Sequence, residues 1–223
     1  MSTPRVISLD LDDTLWPVAP VIAAAEAELT SWLNAHHPRA MQGHDLESMR
    51  RLRARIAARH PGQSHDMTFL RRQALAEQFA AAGYDAAPVE EALEIFFQGR
   101  NRVVLYADVL PALERLSTKY RLFALSNGNA DLRRCGIAHW FEGHVTAAAA
   151  GAGKPDPRIF EQLVREAGVP ATRVLHIGDD PLADVVGATR AGMQSVWLNR
   201  EARAWPSEFP QPPRTVTTLA DIT

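Results

Sequence analysis

The sequence predicts an α/β fold: a parallel sheet flanked by helices, with an all-helical insertion directly after the first strand. Three observations carry this expectation. Short β-rich runs recur at residues 6–11, 120–125, 173–177 and 195–198 with helix-patterned segments around them, the alternation expected of a parallel sheet. Two helix starts, Asp156-Pro157 and Asp180-Pro181, place an aspartate cap before a proline at the first helical position. Between Pro17 and about Arg102 strand signals vanish, and the stretch reads as amphipathic helices rich in Ala, Leu, Glu and Arg.

In chain order, residues 6–11 form the first strand because Val6, Ile7 and Leu9 make a short apolar run that ends in aspartates. The insertion breaks near His37-Pro38, Pro61-Gly62, Gly83 and Pro88, where proline and glycine interrupt helical phase. Residues 120–125 resume the sheet, and 144–146 offer a weaker strand. The helix from Pro157 should stop at Gly168, and the one from Pro181 at Gly192, since glycine accepts the left-handed conformation that closes a helix. Residues 173–177 and 195–198 are strands, and 214–216 is a second weak candidate. Residues 1–16 and 105–223 are thus assigned to the core and 17–104 to the insertion.

Composition narrows the function. The 223 residues are 46% apolar, enough for a real core, and the net charge of −2 provides no broad attraction to nucleic acid or anionic membrane. Cys135 is the only cysteine, so no intrachain disulfide forms. The apolar run before Asp10 is too short for a signal peptide, and no segment approaches the roughly 20 apolar residues that span a bilayer. A soluble cytoplasmic protein is expected, with no nucleic-acid or membrane partner; oligomeric state is not readable.

The stretch SLDLDDTLWP places Asp10, Asp12 and Asp13 at the end of a buried strand. Side chains two apart leave the same strand face, so Asp10 and Asp12 point together at the carboxyl end of the sheet, where open parallel sheets bind ligands. Crowded carboxylates are costly without a cation, and a hard divalent ion such as Mg²⁺ is the simplest remedy. A second acidic group, GDDPLAD from Gly178 to Asp184, follows the strand at 173–177; if the two strands are neighbours, Asp179 lands beside Asp10. SNGN, from Ser126 to Asn129, offers a hydroxyl and backbone N–H donors, and GKPDPRIF, from Gly153 to Phe160, offers Lys154. Acid, cation, hydroxyl and ammonium together suit phosphoryl transfer, where charge spread over equatorial oxygens must be neutralised.

These four stretches, in this order and with a helical insertion after the first, resemble the haloacid dehalogenase superfamily of phosphohydrolases. LSNGNA, HIGDDPLADV and GATRAGMQSVW are similar to a bacterial group of FMN and phosphoribitylamino-uracil phosphatases. The resemblance implies a Rossmann-like core with an inserted helical cap that closes over a small-molecule phosphate ester. It implies Asp10 as the nucleophile that forms an aspartyl-phosphate, and Asp12 as general acid and then base, which also lends its backbone carbonyl to the metal. Thr14 is implied to order the turn, Ser126 and Asn127 to hold phosphate oxygens, and Lys154 to bridge phosphate and Asp10. Asp179 is implied to bind Mg²⁺ directly, and Asp184 to bind it through water or hold Lys154.

Bland readings stand beside these. Asp180 is expected to be an N-cap and Asp13 to be solvated, while Asn127-Gly128 is also a plain turn signal. Only Lys119 and Lys154 are lysines among 24 basic residues, so the lysine in this motif suggests a site that wants a point charge. The arginines of the insertion (Arg50, Arg51, Arg53, Arg55, Arg59, Arg71, Arg72, Arg100 and Arg102) read mainly as a solvated helix face, with Arg71 or Arg72 the candidates to read a substrate. His176 reads as a core residue and Trp16 as a packing residue. A dehalogenase of the same fold needs neither a proton donor nor a metal, so Asp12 and Asp179 argue against one. A phospho-aspartate receiver is disfavoured by the inserted cap, and a non-catalytic binding protein by the complete set of catalytic residue types. A phosphomutase of the same family remains an alternative, and the physiological substrate is not legible.

Overall fold

The computed structural model describes residues 3–84 and 88–222; residues 1–2 and 223 of the expected core and 85–87 of the expected insertion lie outside the described residues. The chain forms two compact units. The first comprises the residues up to Pro17, Val104–Gly128, and those from Gly136 onward; the second comprises Val18–Val103 with Asn129–Cys135.

The first unit is built on a six-stranded sheet of order β3-β2-β1-β4-β5-β6 with every neighbouring pair parallel. Its strands are β1 (Val6–Leu9), β2 (Arg121–Ser126), β3 (Gly143–Thr146), β4 (Val174–Gly178), β5 (Gln194–Leu198) and β6 (Thr215–Val216). β1 is buried along its whole length, as a central parallel strand covered on both faces must be. The two weakly signalled strands, β3 and β6, are the short edges of this sheet. From β1 the chain moves outward through β2 and β3, then returns to β4 on the other side of β1. That reversal opens a crevice at the carboxyl ends of β1 and β4, the usual ligand site of such sheets.

Helix α8 (Pro157–Ala167) starts where expected: the Asp156 side chain accepts from the Arg158 N–H, and Gly168 closes the helix at φ 64°. Its Ile159, Phe160 and Leu163 pack with Phe123, Val145 and Val174, burying one apolar helical face against the sheet. Asp180 is the expected N-cap and accepts from the N–H groups of Leu182 and Ala183. The segment it caps is not a plain helix: Pro181–Val186 winds as a π-type turn before one α-turn, α9, at Gly187–Arg190. The bond from Val185 N–H to the Asp180 carbonyl, 3.3 Å, spans five residues. Widened turns of this kind are frequent at functional sites, and this one carries Asp184. Two further helices of the unit are α6 (Val109–Ser117) and α7 (Ala147–Ala150).

The second unit contains α1 (Val18–His36), α2 (Pro38–Met41), α3 (Leu46–Arg59), α4 (Met67–Ala81) and α5 (Val89–Arg100); the breaks at His37-Pro38, Pro61-Gly62, Gly83 and Pro88 fall as expected, whereas the one between α2 and α3, where Gly43 takes φ 74°, was not expected. α3 opens with a reciprocal Asp45–Ser48 capping box. α1 and α5 approach so closely at Gly99 that a Cβ there would lie 2.6 Å from Ala25 Cα. Leu29, Leu33, Leu75, Phe79, Leu93 and Phe96 form the unit's main core. Residues Asn129–Cys135, which the sequence pattern assigns to the core, group instead with these helices: Asp131 N–H donates to Asn101 Oδ1 at 2.7 Å, and Arg134 makes a two-pronged pair with Glu94 at 2.9 and 3.0 Å. No helix among the described residues is long and apolar enough to cross a membrane.

Candidate active site

The site begins at two adjacent strand ends. β1 and β4 pair with Ser8 opposite His176 and Leu9 opposite Ile177, and Asp10 N–H continues the ladder to the Ile177 carbonyl at 2.9 Å. Asp10 therefore lies beside Gly178, with Asp179 one residue further on. Gly178 has no room for a side chain, because a Cβ would come within 2.2 Å of Asp184 Cγ. One oxygen from each of Asp10, Asp179 and Asp184 lies within 4.8 Å of the others, close enough to share a metal ion.

Lys154 enters from the loop before α8, ahead of a cis Lys154–Pro155 peptide. Its Nζ donates to Asp10 Oδ1 and to Asp184 Oδ1, each at 2.5 Å, and its side chain is 2% exposed. The Asn127 side chain holds the Lys154 backbone on both sides, accepting from its N–H at 2.7 Å and donating to its carbonyl at 2.9 Å. The loops after β2 and before α8 are thereby tied together. Asp184 also meets His176 Nε2 at 3.0 Å through Oδ1 and accepts from Asp180 N–H at 2.9 Å through Oδ2. His176 Nδ1 lies 2.9 Å from Ser8 Oγ. Since a carboxylate only accepts, the imidazole carries its proton on Nε2 and the serine hydroxyl donates to Nδ1.

The electrostatics point to a shortage of positive charge. Burial raises the Asp10 pKa well above the usual carboxylate range, with Lys154 working against it and Asp184 adding to it. Burial also raises Asp179 to about 6, helped by Asp184 and Asp13 and opposed by Arg203. Asp184 goes the other way: burial is outweighed by Lys154 and His176, and its pKa falls below the usual range. Lys154 is raised, since the two carboxylates outweigh its burial, whereas burial lowers His176 and keeps it neutral. One ammonium thus serves two carboxylates, while a third is stabilised only at the rim. Three hard oxygen donors short of a counter-charge fit a divalent cation such as Mg²⁺.

After Asp10 the chain folds into a tight turn. Asp13 adopts φ 59° and its N–H donates to the Trp16 carbonyl, and Leu15 N–H returns to the Leu11 carbonyl, both at 2.7 Å. Asp12, half-buried, accepts from the Trp16 indole N–H at 2.9 Å; its carboxylate is not one of the three clustered acids. Thr14 is fully buried. Its carbonyl accepts from Arg200 at 2.9 and 3.1 Å, while its hydroxyl has no hydrogen-bond partner among the described residues. Ser126 is buried at the end of β2, and its Oγ accepts from Gly128 N–H at 2.9 Å.

Asp10, Lys154, Asp179 and Asp184 therefore converge, while Ser126 ends β2 and Asn127 opens the loop after it, tied to Lys154. Sequence reasoning missed the Ser8–His176 pair beneath Asp184, the Trp16 bond to Asp12, and Arg203. The Arg203 guanidinium donates to the Asp179 carbonyl at 2.8 Å and to its Oδ2 at 3.0 Å. His176 had a usable signal, since a polar residue on a buried strand needs a partner.

The sheet order and this acid–lysine cluster define a haloacid dehalogenase-like hydrolase: the model of that family matches residues 4–192, and the chain belongs to it. Among characterised proteins, the chain is similar to 5-amino-6-(5-phospho-D-ribitylamino)uracil phosphatase YigB of Escherichia coli (strain K12), with 31% identity over 97% of this chain and 94% of that protein. A solved structure titled 2-haloacid dehalogenase, from Pseudomonas syringae pv. Tomato DC3000, has a TM-score of 0.91 and 36% identity, covering 98% of this chain and 96% of that one. A phosphatase of the family from Thermococcus onnurineus has a TM-score of 0.66 and 25% identity over 97% and 94% of the two chains.

Proposed function

We propose that this protein is a cytoplasmic Mg²⁺-dependent phosphatase that hydrolyses a small-molecule phosphate monoester through an aspartyl-phosphate, with 5-amino-6-(5-phosphoribitylamino)uracil phosphate or FMN as the leading substrates. The observation that carries the reading is Lys154 Nζ, buried 2.5 Å from both Asp10 and Asp184, with Asp179 in the same cluster of acids. An Asp10 carboxylate oxygen attacks phosphorus and the ester oxygen leaves, taking a proton from Asp12. Asp12, now ionised, accepts a proton from water as that water attacks the aspartyl-phosphate, which releases phosphate and restores Asp10. Lys154 neutralises charge on the transferring group, and Ser126 and the Asn127 N–H hold its oxygens. Asp10, Asp179 and Asp184 would hold Mg²⁺ together with the Asp12 backbone carbonyl, and the bound ion supplies positive charge against the phosphate oxygens. The Trp16 indole fixes the direction of the Asp12 side chain.

The uracil-phosphate assignment is supported by the 94% coverage of the Escherichia coli relative. A dehalogenase reading is favoured by the name of the Pseudomonas syringae structure. It leaves Asp12 without a task, because halide departs without a proton, and it leaves the three clustered acids without a cation to bind.

The test is a release screen over FMN, the ribitylamino-uracil phosphate, sugar phosphates, nucleotides and 2-chloropropionate, run with Mg²⁺ and with EDTA, and repeated with Asp10→Asn. Mg²⁺-dependent phosphate release that disappears in Asp10→Asn is expected. Chloride release without phosphate release, or full turnover by Asp10→Asn, would sink the reading.

A further inference from the structure

Three helices of the second unit converge on one buried carboxylate. Glu26 of α1 is 4% exposed in its side chain; from α3, Arg53 reaches its Oε1 at 2.7 Å, and from α4, Arg71 reaches the same oxygen at 3.5 Å. Arg50 approaches Oε2 at 3.5 Å, but its side chain is 61% exposed and its charge is screened by water. Inside the unit, two guanidiniums therefore share one carboxylate oxygen.

We infer that Arg71 and Arg53 form an oxyanion-binding site in the helical unit, suited to a carboxylate or phosphate group. The Arg71 guanidinium lies over the Phe96 ring of α5, 3.4 Å from its centroid. Stacking occupies the face of the fork and leaves its edge for hydrogen bonds. A guanidinium has five N–H donors, yet the Arg71 hydrogen bonding among the described residues is the single long bond to Glu26. Its side chain is 10% exposed. Its remaining N–H groups are not sealed from solvent and so are open to a ligand, and a charge this buried is costly unless an anion balances it. Water satisfies donors but not charge; a planar oxyanion does both, accepting two parallel N–H bonds along the fork.

The charge balance agrees. Burial and the nearby Arg53 pull the Arg71 pKa down to about 9, Arg100 adds to the effect, and Glu26 offsets only part of it. Arg72, the next residue, is the internal contrast: it is 42% exposed and meets Glu90 with two bonds at 2.7 and 3.2 Å. That pair is complete and asks for no ligand.

Binding of an anion at this site does not require the phosphatase reading, and the first arm of the test is read without turnover, so the two fail separately. Malonate is titrated calorimetrically into the whole metal-free protein in EDTA at low salt. The wild type is expected to bind; Arg71→Gln should weaken binding about tenfold or more, the worth of a charge-assisted contact. Glu26→Gln should tighten it, because the competing carboxylate is gone, and Asp10→Asn should leave it unchanged. A second arm measures KM for p-nitrophenyl phosphate and for a phosphate ester that carries a carboxylate. A KM increase in Arg71→Gln confined to the carboxylated ester makes the anion part of a substrate. Unchanged KM values with malonate binding lost make it a free ligand. No malonate binding by the wild type, undiminished binding by Arg71→Gln, or weaker binding by Glu26→Gln would each overturn the site. Should Arg71→Gln fail to fold, the sign of the Glu26→Gln effect decides.

Discussion

Replacing Asp179 by asparagine is expected to stabilise the metal-free protein at neutral pH. The Asp179 pKa is raised from 3.8 to about 6 by burial, by Asp184 and by Asp13, with Arg203 opposing, and its side chain is 17% exposed. A carboxylate whose folded pKa lies above its unfolded one binds a proton more tightly when folded. Stability therefore falls as pH rises from about 4 to about 6, and the full cost persists above that. A shift of about 2 units corresponds to about 3 kcal/mol, an upper figure for the ionised carboxylate. Asparagine keeps the shape and removes the charge. Urea unfolding in EDTA should show Asp179→Asn more stable than wild type by up to about 3 kcal/mol near pH 7.5 and by less than about 1 kcal/mol near pH 4. Saturating Mg²⁺ should reverse the order, because only the wild type retains all three acids. A variant equal to or weaker than wild type near pH 7.5 in EDTA would refute the claim that the acids lack a counter-charge.

Lys154→Arg should lose at least about 100-fold in kcat/KM and also lower the thermal midpoint, since a planar fork cannot occupy the buried point-charge position between Asp10 and Asp184; near-normal turnover counts against the role. Asp12→Asn should lower kcat by about 10²–10⁴ on alkyl phosphates and by much less on p-nitrophenyl phosphate, whose leaving group needs no proton; equal losses on both would remove the general acid. Gly178→Ala should cost about 1–3 kcal/mol by overpacking and abolish most phosphate release, because its Cβ would occupy the place of Asp184; urea unfolding and turnover of the purified variant check both parts.

The parts legible in the sequence are those where local pattern and tertiary role coincide. β1 and β4 are central parallel strands, so burial on both faces is written as apolar runs, and the acids at their ends stand out against that background. β3 and β6 bury less and signal less. The Asp180-Pro181 start was readable because capping is local; the widened turn after it was not, because a cap fixes where a helix begins and not how it winds. The Asn127 clamp on Lys154 and the Ser8–His176 pair depend on the meeting of segments 27 and 168 residues apart. Each half, taken alone, reads as a turn or a core residue.

Arg71 and Arg72 show where a finer reading of pattern would have reached further. Treated as one charge run, the pair offers no choice between them. α4 buries Leu70, Ala74, Leu75, Gln78 and Phe79, and Arg71 stands three, four, seven and eight residues before the last four, on the same helical stripe, while Arg72 falls off it. A charge on a buried stripe must find a partner inside the protein or bind one from outside. The helical phase alone thus separates the arginine that demands an explanation from the one that water and Glu90 already satisfy.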